Sequence, residues 1–268
     1  MKIISTILLT LIFCGTAFAQ PSELKRIETG LEEGKDNMSV SSLFELINVD
    51  KDQFFNQNKI EGGTIYAVRN YGSYQKLAFA TTWFDFTVLM DNSTEKVLYS
   101  TVAISGVKSP NKDDIFQQYH NSFAKHVKAH EKKFGVKINL EDEDMSPLNS
   151  FTFGTGCGWN GPLPEKGMKM FELIKSGDQT TLMNWVKSMN PSIQAYGVMG
   201  LHFLKKKGKT LTLKKKDKKV LGAVKSQKTV IDYCSNIDLN ATTPMNMVLS
   251  DFYLDSIWEL YKNSKYLR

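Results

Sequence analysis

Cysteine and histidine supply the candidates that the sequence offers for covalent or metal chemistry. Cys157 could act as a nucleophile if a histidine lay beside it to take its proton. The chain has four histidines, and His202 is the candidate for that base. The residues around Cys157 do not match the patterns that surround the nucleophiles of known cysteine hydrolases. A Cys157–His202 pair is therefore one hypothesis for catalysis.

The spacing of His126 and His130 suggests a second kind of site, because residues four apart share one face of a helix and could ligate a metal ion. Their order differs from the His-Glu-x-x-His of zinc proteases, since Glu131 follows the second histidine instead of lying between the two. Neighbouring lysines such as Lys128 would repel a cation. The spacing leaves two interpretations, a metal pair and a solvated helix flank, and favours the second. We expect no bound metal and no cofactor.

Positive charge is concentrated in the segment 205–219, where nine lysines stand against one aspartate, a net charge of +8. The nine are Lys205, Lys206, Lys207, Lys209, Lys214, Lys215, Lys216, Lys218 and Lys219. Such a segment could bind the anionic surface of a cell envelope or nucleic acid. It has no arginine and no aromatic residue on which bases could stack, which disfavours nucleic acid. The remaining interpretations are a patch for an anionic partner and a solvated connector.

The first nineteen residues have the pattern of a secretory signal peptide. Lys2 supplies the positive charge, an apolar run follows at 3–13, and Ala17-Phe18-Ala19 fits the cleavage pattern before Gln20. A membrane anchor is the first alternative, but the run is shorter than the roughly 20 residues needed to span a bilayer. Acylation of Cys14 is the second alternative. We expect residues 1–19 to be removed and the mature chain to be exported, with no transmembrane segment.

Export would place the two remaining cysteines, Cys157 and Cys234, in an oxidising compartment. An even number of cysteines in such a compartment predicts a disulfide. Closing so long a loop would stabilise the fold by on the order of 4 kcal/mol. A Cys157–Cys234 disulfide and a Cys157 nucleophile exclude each other, so the compartment favours the structural role.

The N-terminal half predicts an antiparallel sheet with packed helices. Short helices are indicated by Leu24, Ile27 and Leu31, and by the capping-box pair Ser42 and Glu45. Aromatic and β-branched residues then predict strands at 64–69, 75–81, 84–90 and 96–104. A helical stripe of apolar residues from 113 to 134 predicts a long helix that covers this sheet. Grouped strands with packed helices predict an α+β domain over residues 20–150.

The C-terminal half predicts an α-helical domain over residues 151–268. An acidic run at 141–144 and a glycine-rich segment at 154–161 mark the boundary, and we expect the acidic run to be a hydrated linker. Helices are then predicted at about 165–176, from Asp178, from Asn190 to Gly208, through the lysine-rich segment, and from Thr243. Asn190 suits a helix N-cap and Gly208 a left-handed stop.

The helix Asn190-Pro-Ser-Ile-Gln-Ala-Tyr-Gly-Val-Met-Gly-Leu-His-Phe-Leu follows a helix that ends Trp185-Val186-Lys187-Ser188. Together, over residues 164–208, the two segments resemble one unit of a HEAT-type helical hairpin. In that family, paired antiparallel helices stack sideways and present a surface to a partner. The resemblance implies that the helical half offers a surface for a protein partner.

These patterns together predict an exported, non-enzymatic interaction or scaffolding protein, with a bacterial periplasm or exterior as the favoured location. The composition, 41% hydrophobic and 23% charged, is that of a globular protein and excludes a disordered chain. The expected partner is a protein bound by the helical half or an anionic envelope surface. The alternative is an exported hydrolase that uses Cys157 with His202, or a metal ion held by His126 and His130.

Overall fold

A computed structural model describes residues 22–61, 63–105, 115–149, 151–157, 161–234 and 241–267. The predicted signal peptide at 1–19 and Cys14 lie outside these residues. The chain divides into two compact units. The first contains the described residues up to Arg69 together with Ser73–His126, and the second contains Asn70–Gly72 and the residues from Val127 onward. The predicted boundary at residue 150 lies inside the second unit.

Three helices precede the sheet of the first unit: α1 at 22–33, α2 at Val40–Leu46 and α3 at Lys51–Gln57. The capping residue of α2 is Ser39 and not the predicted Ser42, because the Ser39 backbone is extended and its Oγ accepts the Ser42 N–H at 3.0 Å. Helix α3 was not predicted. Its N-cap is Asp50, whose carboxylate accepts the N–H of Gln53 at 2.9 Å.

The sheet of the first unit has five antiparallel strands, and their order in space follows their order in the chain. The strands are β1 at Thr64–Asn70, β2 at Tyr74–Ala80, β3 at Phe84–Asp91, β4 at Val97–Ile104 and β5 at Ile115–Tyr119. The four predicted strands are confirmed. The fifth corrects the predicted helix at 113–134, since Phe116 pairs with Val102 of β4 and helix α4 begins only at Asn121 (Asn121–Phe134).

The reason for this difference is that pairing satisfies the open edge of β4, which an adjacent helix could not do. Ile115, Phe116 and Tyr119 also suit a pleated strand as well as they suit a helical stripe. Helix α4 then starts against the same edge. The His120 N–H donates to the carbonyl of Leu98 at 3.0 Å, and Ser122 Oγ donates to the carbonyl of Val97 at 2.7 Å.

The core of the first unit lies between α1–α3 and one face of the sheet, and phenylalanine rings fill its centre. Phe44 of α2 and Phe54 of α3 meet edge to face at 5.0 Å, and Phe79 of β2 stacks on Phe86 of β3 at 5.1 Å. All four side chains are buried. Helices α1–α3 therefore cover this face of the sheet. The sequence had instead predicted that the helix at 113–134 would cover the sheet.

Four successive helices follow in the second unit: α5 at Glu165–Ser176, α6 at Gln179–Val186, α7 at Pro191–Lys206 and α8 at Lys215–Lys225. The predicted caps are confirmed, because Asp178 accepts the Thr181 N–H and Asn190 accepts the N–H groups of Ser192 and Ile193. Gly208 has a φ of 83°, as expected for a left-handed stop. In the described part of the chain, no helix is both long and apolar enough to cross a membrane.

Helix α7 is the centre of the second unit, and 0% of the surface of Ile193, Tyr196 and Phe203 is exposed. Gly197 lets α6 come close: a Cβ at this position would lie 2.6 Å from the backbone nitrogen of Val186 and 2.8 Å from the carbonyl oxygen of Leu182. Contact between the two backbones therefore requires glycine at this position.

A small sheet of three strands completes the second unit, in the order β6-β7-β8. Strand β6 (Phe153–Gly154) is parallel to β7 (Val230–Cys234), and β8 (Ala241–Pro244) is antiparallel to β7. The sequence had predicted a final helix from Thr243. Instead Thr243 and Pro244 end β8, and two helices follow, α9 at Met245–Val248 and α10 at Asp251–Tyr261. The fold is α+β, with a sheet-bearing N-terminal part and a mainly helical C-terminal part, as predicted.

Candidate functional site

Cys157 and Cys234 form a disulfide, with their Cα atoms 5.1 Å apart, as the sequence predicted. Cys234 ends β7 and is fully buried, whereas Cys157 lies in the loop after β6. Gly154 allows the close approach, since a Cβ there would lie 2.6 Å from Cys234 Sγ. A cysteine in a disulfide has no free thiol that could ionise to the nucleophilic thiolate. The structure therefore gives no support to Cys157 as a nucleophile.

Tyrosine hydroxyls hold β6 and the residues on either side of it to the helices. Tyr196 of α7 accepts the Gly154 N–H at 3.1 Å and lies 3.1 Å from the carbonyl oxygen of Thr152. Tyr261 of α10 donates to the carbonyl of Thr155. Burial raises the pKa of Tyr196, so it stays a neutral hydroxyl. These contacts fit a structural role for the loop and the disulfide.

His202 belongs to a network of charged side chains between α7 and α10. Its Nε2 lies 2.7 Å from Asp255 Oδ1, and its Nδ1 lies 4.0 Å from Asp251 Oδ1. Lys206 also binds Asp255, at 2.8 Å. Burial lowers the pKa of His202, while the Asp255 carboxylate acts in the opposite direction. Both ring nitrogens therefore face carboxylates, and the contacts of His202 give no support to a role beside Cys157.

His126 and His130 have different surroundings. The Nδ1 of His126 lies 3.7 Å from Asp91 Oδ2, and its Nε2 lies 3.5 Å from Ser73 Oγ. The Nε2 of His130 lies 2.8 Å from the carbonyl oxygen of Lys187, so this nitrogen carries a proton and has no lone pair for a metal. Among the described residues, no group of three or more His, Cys, Asp or Glu side chains is placed to hold a metal ion. The structure thus gives no support to a metal shared by His126 and His130.

The lysine patch, defined as the nine lysines at 205–219, runs from the end of α7 to the outer face of α8, and all nine residues are exposed. Lys206 binds Asp255, and Lys207 donates to the carbonyl of Leu267 at 3.4 Å. Asp217, the single acidic residue of the segment, is bound at 2.7 Å by Lys187, the C-cap residue of α6. That ion pair anchors α8, and Lys187 neutralises the charge of Asp217.

The start of α8 carries charge that opposes helix stability. Its N-cap is Lys214, which makes no capping hydrogen bond with its side chain, and Lys215 and Lys216 follow in the first turn. Cations at a helix N-terminus face the positive end of the helix dipole, at a cost of about 0.3–1 kcal/mol each. Stability alone therefore does not account for these lysines.

The structure places further lysines beside the lysine patch, and nothing in the sequence indicated this proximity. The Lys216 side chain lies against Gly135, the left-handed residue that ends α4, where a Cβ would collide with Lys216 Nζ. Around Gly135 a concave surface is lined by Lys128, Lys132, Lys137, Glu131 and Val136. The Glu131 carboxylate accepts the N–H of Ile138 at 3.0 Å and so is directed toward its own chain. The basic surface therefore spans two elements that lie some eighty positions apart in the sequence.

The acidic run contains a buried polar cluster, which corrects the prediction of a hydrated linker. Asp144 is 7% exposed, and its carboxylate binds Lys166 at 2.7 Å, Lys169 at 3.1 Å and the Trp185 indole N–H at 3.1 Å. Lys166 is 2% exposed, binds Glu143 as well, and lies over the Phe151 ring. Burial by itself would raise the pKa of Asp144, but hydrogen bonds from Lys166 and Lys169 outweigh it and lower that pKa. Four acidic residues in a row resemble a linker, and only the tertiary structure reveals their partners.

Comparisons of the chain with protein-family models, with curated proteins and with solved structures found no match.

Proposed function

We propose that this chain is an exported interaction protein whose second unit binds the anionic surface of a cell envelope through the lysine patch. The observation that carries the proposal is the charge of the segment 205–219: nine exposed lysines against one aspartate that Lys187 already binds. The favoured location is a bacterial periplasm or exterior. The pattern of a signal peptide and the disulfide support export, because disulfides persist in oxidising compartments.

Two features support a binding role for these lysines. The lysines that begin α8 oppose the helix dipole, and a bound anionic surface would remove that unfavourable interaction. The lysines around Gly135 enlarge the positive surface beyond the single segment. Each lysine close to an anionic membrane surface contributes about 1 kcal/mol, so several acting together give strong binding without a deep pocket. The resemblance of residues 164–208 to a HEAT unit adds a second expectation, that the helical surface also contacts a protein.

The proposal is tested by sedimentation of the mature protein with phosphatidylcholine vesicles, with and without phosphatidylglycerol. The informative variant changes Lys215, Lys218 and Lys219 to glutamate. These three residues are exposed on α8, so the substitutions turn its outer face from basic to acidic. Glutamate in the first turn also suits the helix dipole, so the fold should be retained. The matched control makes the same charge change in the first unit, at the exposed residues Lys25, Lys35 and Lys59.

We expect binding that requires phosphatidylglycerol and that falls at least about 100-fold in the α8 variant, since each lysine contributes about 1 kcal/mol. The control variant should bind nearly as well as the unaltered protein. Equal losses in the two variants would mean that net charge and not the patch determines binding. Absence of binding to either kind of vesicle would remove the envelope surface as the partner.

A further inference from the structure

The first unit brings together three side chains that the lysine patch does not involve. His126 of α4 lies between a hydroxyl and a carboxylate, with Nε2 3.5 Å from Ser73 Oγ and Nδ1 3.7 Å from Asp91 Oδ2. We propose that Ser73, His126 and Asp91 form a hydrolytic site for short-chain carboxylic esters, with Ser73 as nucleophile, His126 as general base and Asp91 as the positioning residue. This activity goes beyond the proposed function and does not depend on it.

The order hydroxyl–imidazole–carboxylate is what base-activated hydroxyl catalysis requires. Both distances are longer than formed hydrogen bonds, as is common before substrate binds, when the contacts of a catalytic base have not yet tightened. The arrangement is recognised by geometry, because the three residues come from a turn, a strand end and a helix. No spacing in the sequence connects them.

Asp91 is held in one orientation. Its Oδ1 accepts the N–H of Ser93 at 2.8 Å, the N–H of Thr94 at 2.9 Å and the Ser93 hydroxyl at 2.5 Å. Its Oδ2 is the oxygen that faces His126. Burial by itself would raise the pKa of Asp91, but the donors from Ser93 and Thr94 outweigh it and lower that pKa. Asp91 is therefore an ionised carboxylate that can hold the Nδ1–H tautomer of His126.

His126 is in the protonation state that a base needs. Its side chain is 11% exposed and its ring meets the Tyr74 ring edge to face at 5.6 Å. Burial lowers the pKa of His126, against the opposing effect of Asp91, so the imidazole is neutral near pH 7. With a proton on Nδ1 directed at Asp91, Nε2 presents its lone pair to Ser73 Oγ.

The fold explains why these residues meet. Strands β2 and β3 pair Tyr74 with Asp91, and the Asn92 N–H donates to the carbonyl of Ser73 at 3.2 Å. The nucleophile and the carboxylate thus sit at the same end of one hairpin. Helix α4 is docked on the edge of β4 by its first residues, which places His126 over that end of the hairpin. Ser73 itself is exposed and accessible to a substrate.

The reaction follows from these positions. Ser73 Oγ attacks the ester carbonyl carbon as its proton passes to His126 Nε2, and the resulting tetrahedral adduct collapses when the alcohol leaves with that proton. This step leaves an acyl ester on Ser73. Water then attacks the acyl carbon and gives its proton to His126, which returns a proton to Ser73 Oγ as the carboxylic acid leaves. No redox partner is needed, and water is the only co-reactant.

The exposed position of Ser73 determines the substrate class. A hydroxyl on a surface turn can reach an acyl group carried by a larger molecule without that group being buried in the protein. We therefore expect short acyl groups such as acetyl. A positioned general base contributes about 10²–10⁴-fold in rate, so slow but saturable turnover is expected.

The test uses the mature protein and two probes, 4-nitrophenyl acetate for turnover and a fluorophosphonate for covalent labelling mapped by mass spectrometry. Ser73 should carry the label, and Ser73→Ala should lose it. His126→Gln should lower the rate of labelling about 100-fold or more. Asp91→Asn keeps an oxygen for the Ser93 and Thr94 donors but removes the charge. It should lower kcat about 10-fold or more with little change in KM, as expected for a residue that orients the base.

His130→Gln is the matched control, because it alters a histidine on the same helix and should leave labelling unchanged. Circular dichroism verifies that each variant is folded. Mapping of the label on the unaltered protein does not depend on any variant. A label on other residues but not on Ser73, or equal labelling rates in the unaltered protein and His126→Gln, would overturn the proposal.

Discussion

The indole Nε1 of Trp185 donates a hydrogen bond to Oδ2 of Asp144 over 3.1 Å. This bond ties the segment before β6 to α6, and Ser188 reinforces it by donating to the Asp144 backbone carbonyl at 2.6 Å. Lys166 completes the arrangement as a buried cation that binds the same carboxylate. Asp144 is therefore part of the core of the second unit and its charge contributes to stability, while Glu141, Asp142 and Glu143 of the same run are exposed.

Replacement of Asp144 by alanine should destabilise the protein by about 3 kcal/mol. The variant leaves Lys166 buried without one of its two carboxylate partners and the Trp185 indole without its acceptor, and breaking one side of a buried ion pair typically costs about this much. Urea unfolding followed by circular dichroism measures the loss. Glu141→Ala is the control, because Glu141 is an exposed residue of the same run and should change the free energy of unfolding by less than about 0.5 kcal/mol. Similar losses in the two variants would contradict a structural role for Asp144.

The contribution of Asp144 should depend on pH in a defined direction. The folded-state pKa of this carboxyl lies below its ordinary value of 3.8, so its contribution is present above that value and is lost as pH falls through the folded-state pKa. We expect the difference in unfolding free energy between the unaltered protein and Asp144→Asn to be constant from pH 7 to 5 and to shrink in acid below pH 3.8. A difference that grows on acidification would show that another group determines it.

Two glycines should respond in opposite ways to alanine. Gly197→Ala places a methyl group against the backbone of α6 and should destabilise by about 1–3 kcal/mol. Gly222 lies on the outer surface of α8, where an added methyl group would meet no atom within 4 Å, so Gly222→Ala should stabilise by up to about 1 kcal/mol. Thermal unfolding measures both. A stable Gly197→Ala variant would mean that α6 and α7 are less closely packed than described.

Loss of the disulfide should lower stability without changing the fold class. Cys157 and Cys234 are 77 residues apart in the sequence. For a closed loop of this length, the loss of chain entropy in the unfolded state contributes about 4 kcal/mol to the free energy of unfolding. We expect a reductant to lower the urea midpoint of the mature protein. A double variant, Cys157→Ser with Cys234→Ala, should start at the lower midpoint and show no response to the reductant. An unaltered midpoint on complete reduction would contradict a stabilising role.

Local signals were sufficient to predict much of the second unit. Asn190, Pro191 and Gly208 define the ends of α7 because capping and left-handed stops depend on single residues. The disulfide followed from the number of cysteines and the predicted compartment. Strand β5 could not be assigned in the same way, since its residues also fit a helical stripe and only pairing with β4 decides between the two.

The candidate sites were harder to predict from the sequence, because they depend on tertiary structure. The lysine patch is continuous in the sequence and was predicted, but its extension to Lys128 and Lys132 arises from the packing of Lys216 on Gly135. Ser73 and Asp91 were not singled out, because their relation to His126 depends on a hairpin register and on the docking of α4. Conversely, His130 was grouped with His126 by spacing, and its partner proved to be a backbone carbonyl.

The most direct test of the central claim is the salt dependence of binding to vesicles that contain phosphatidylglycerol. If exposed lysines make the contact, the affinity should fall steeply and steadily as sodium chloride is raised, because screening acts strongly on solvent-exposed charges. The decline should be shallower for the variant with glutamate at Lys215, Lys218 and Lys219, and unchanged for the control with glutamate at Lys25, Lys35 and Lys59. An affinity that does not vary with salt would contradict binding through the lysine patch.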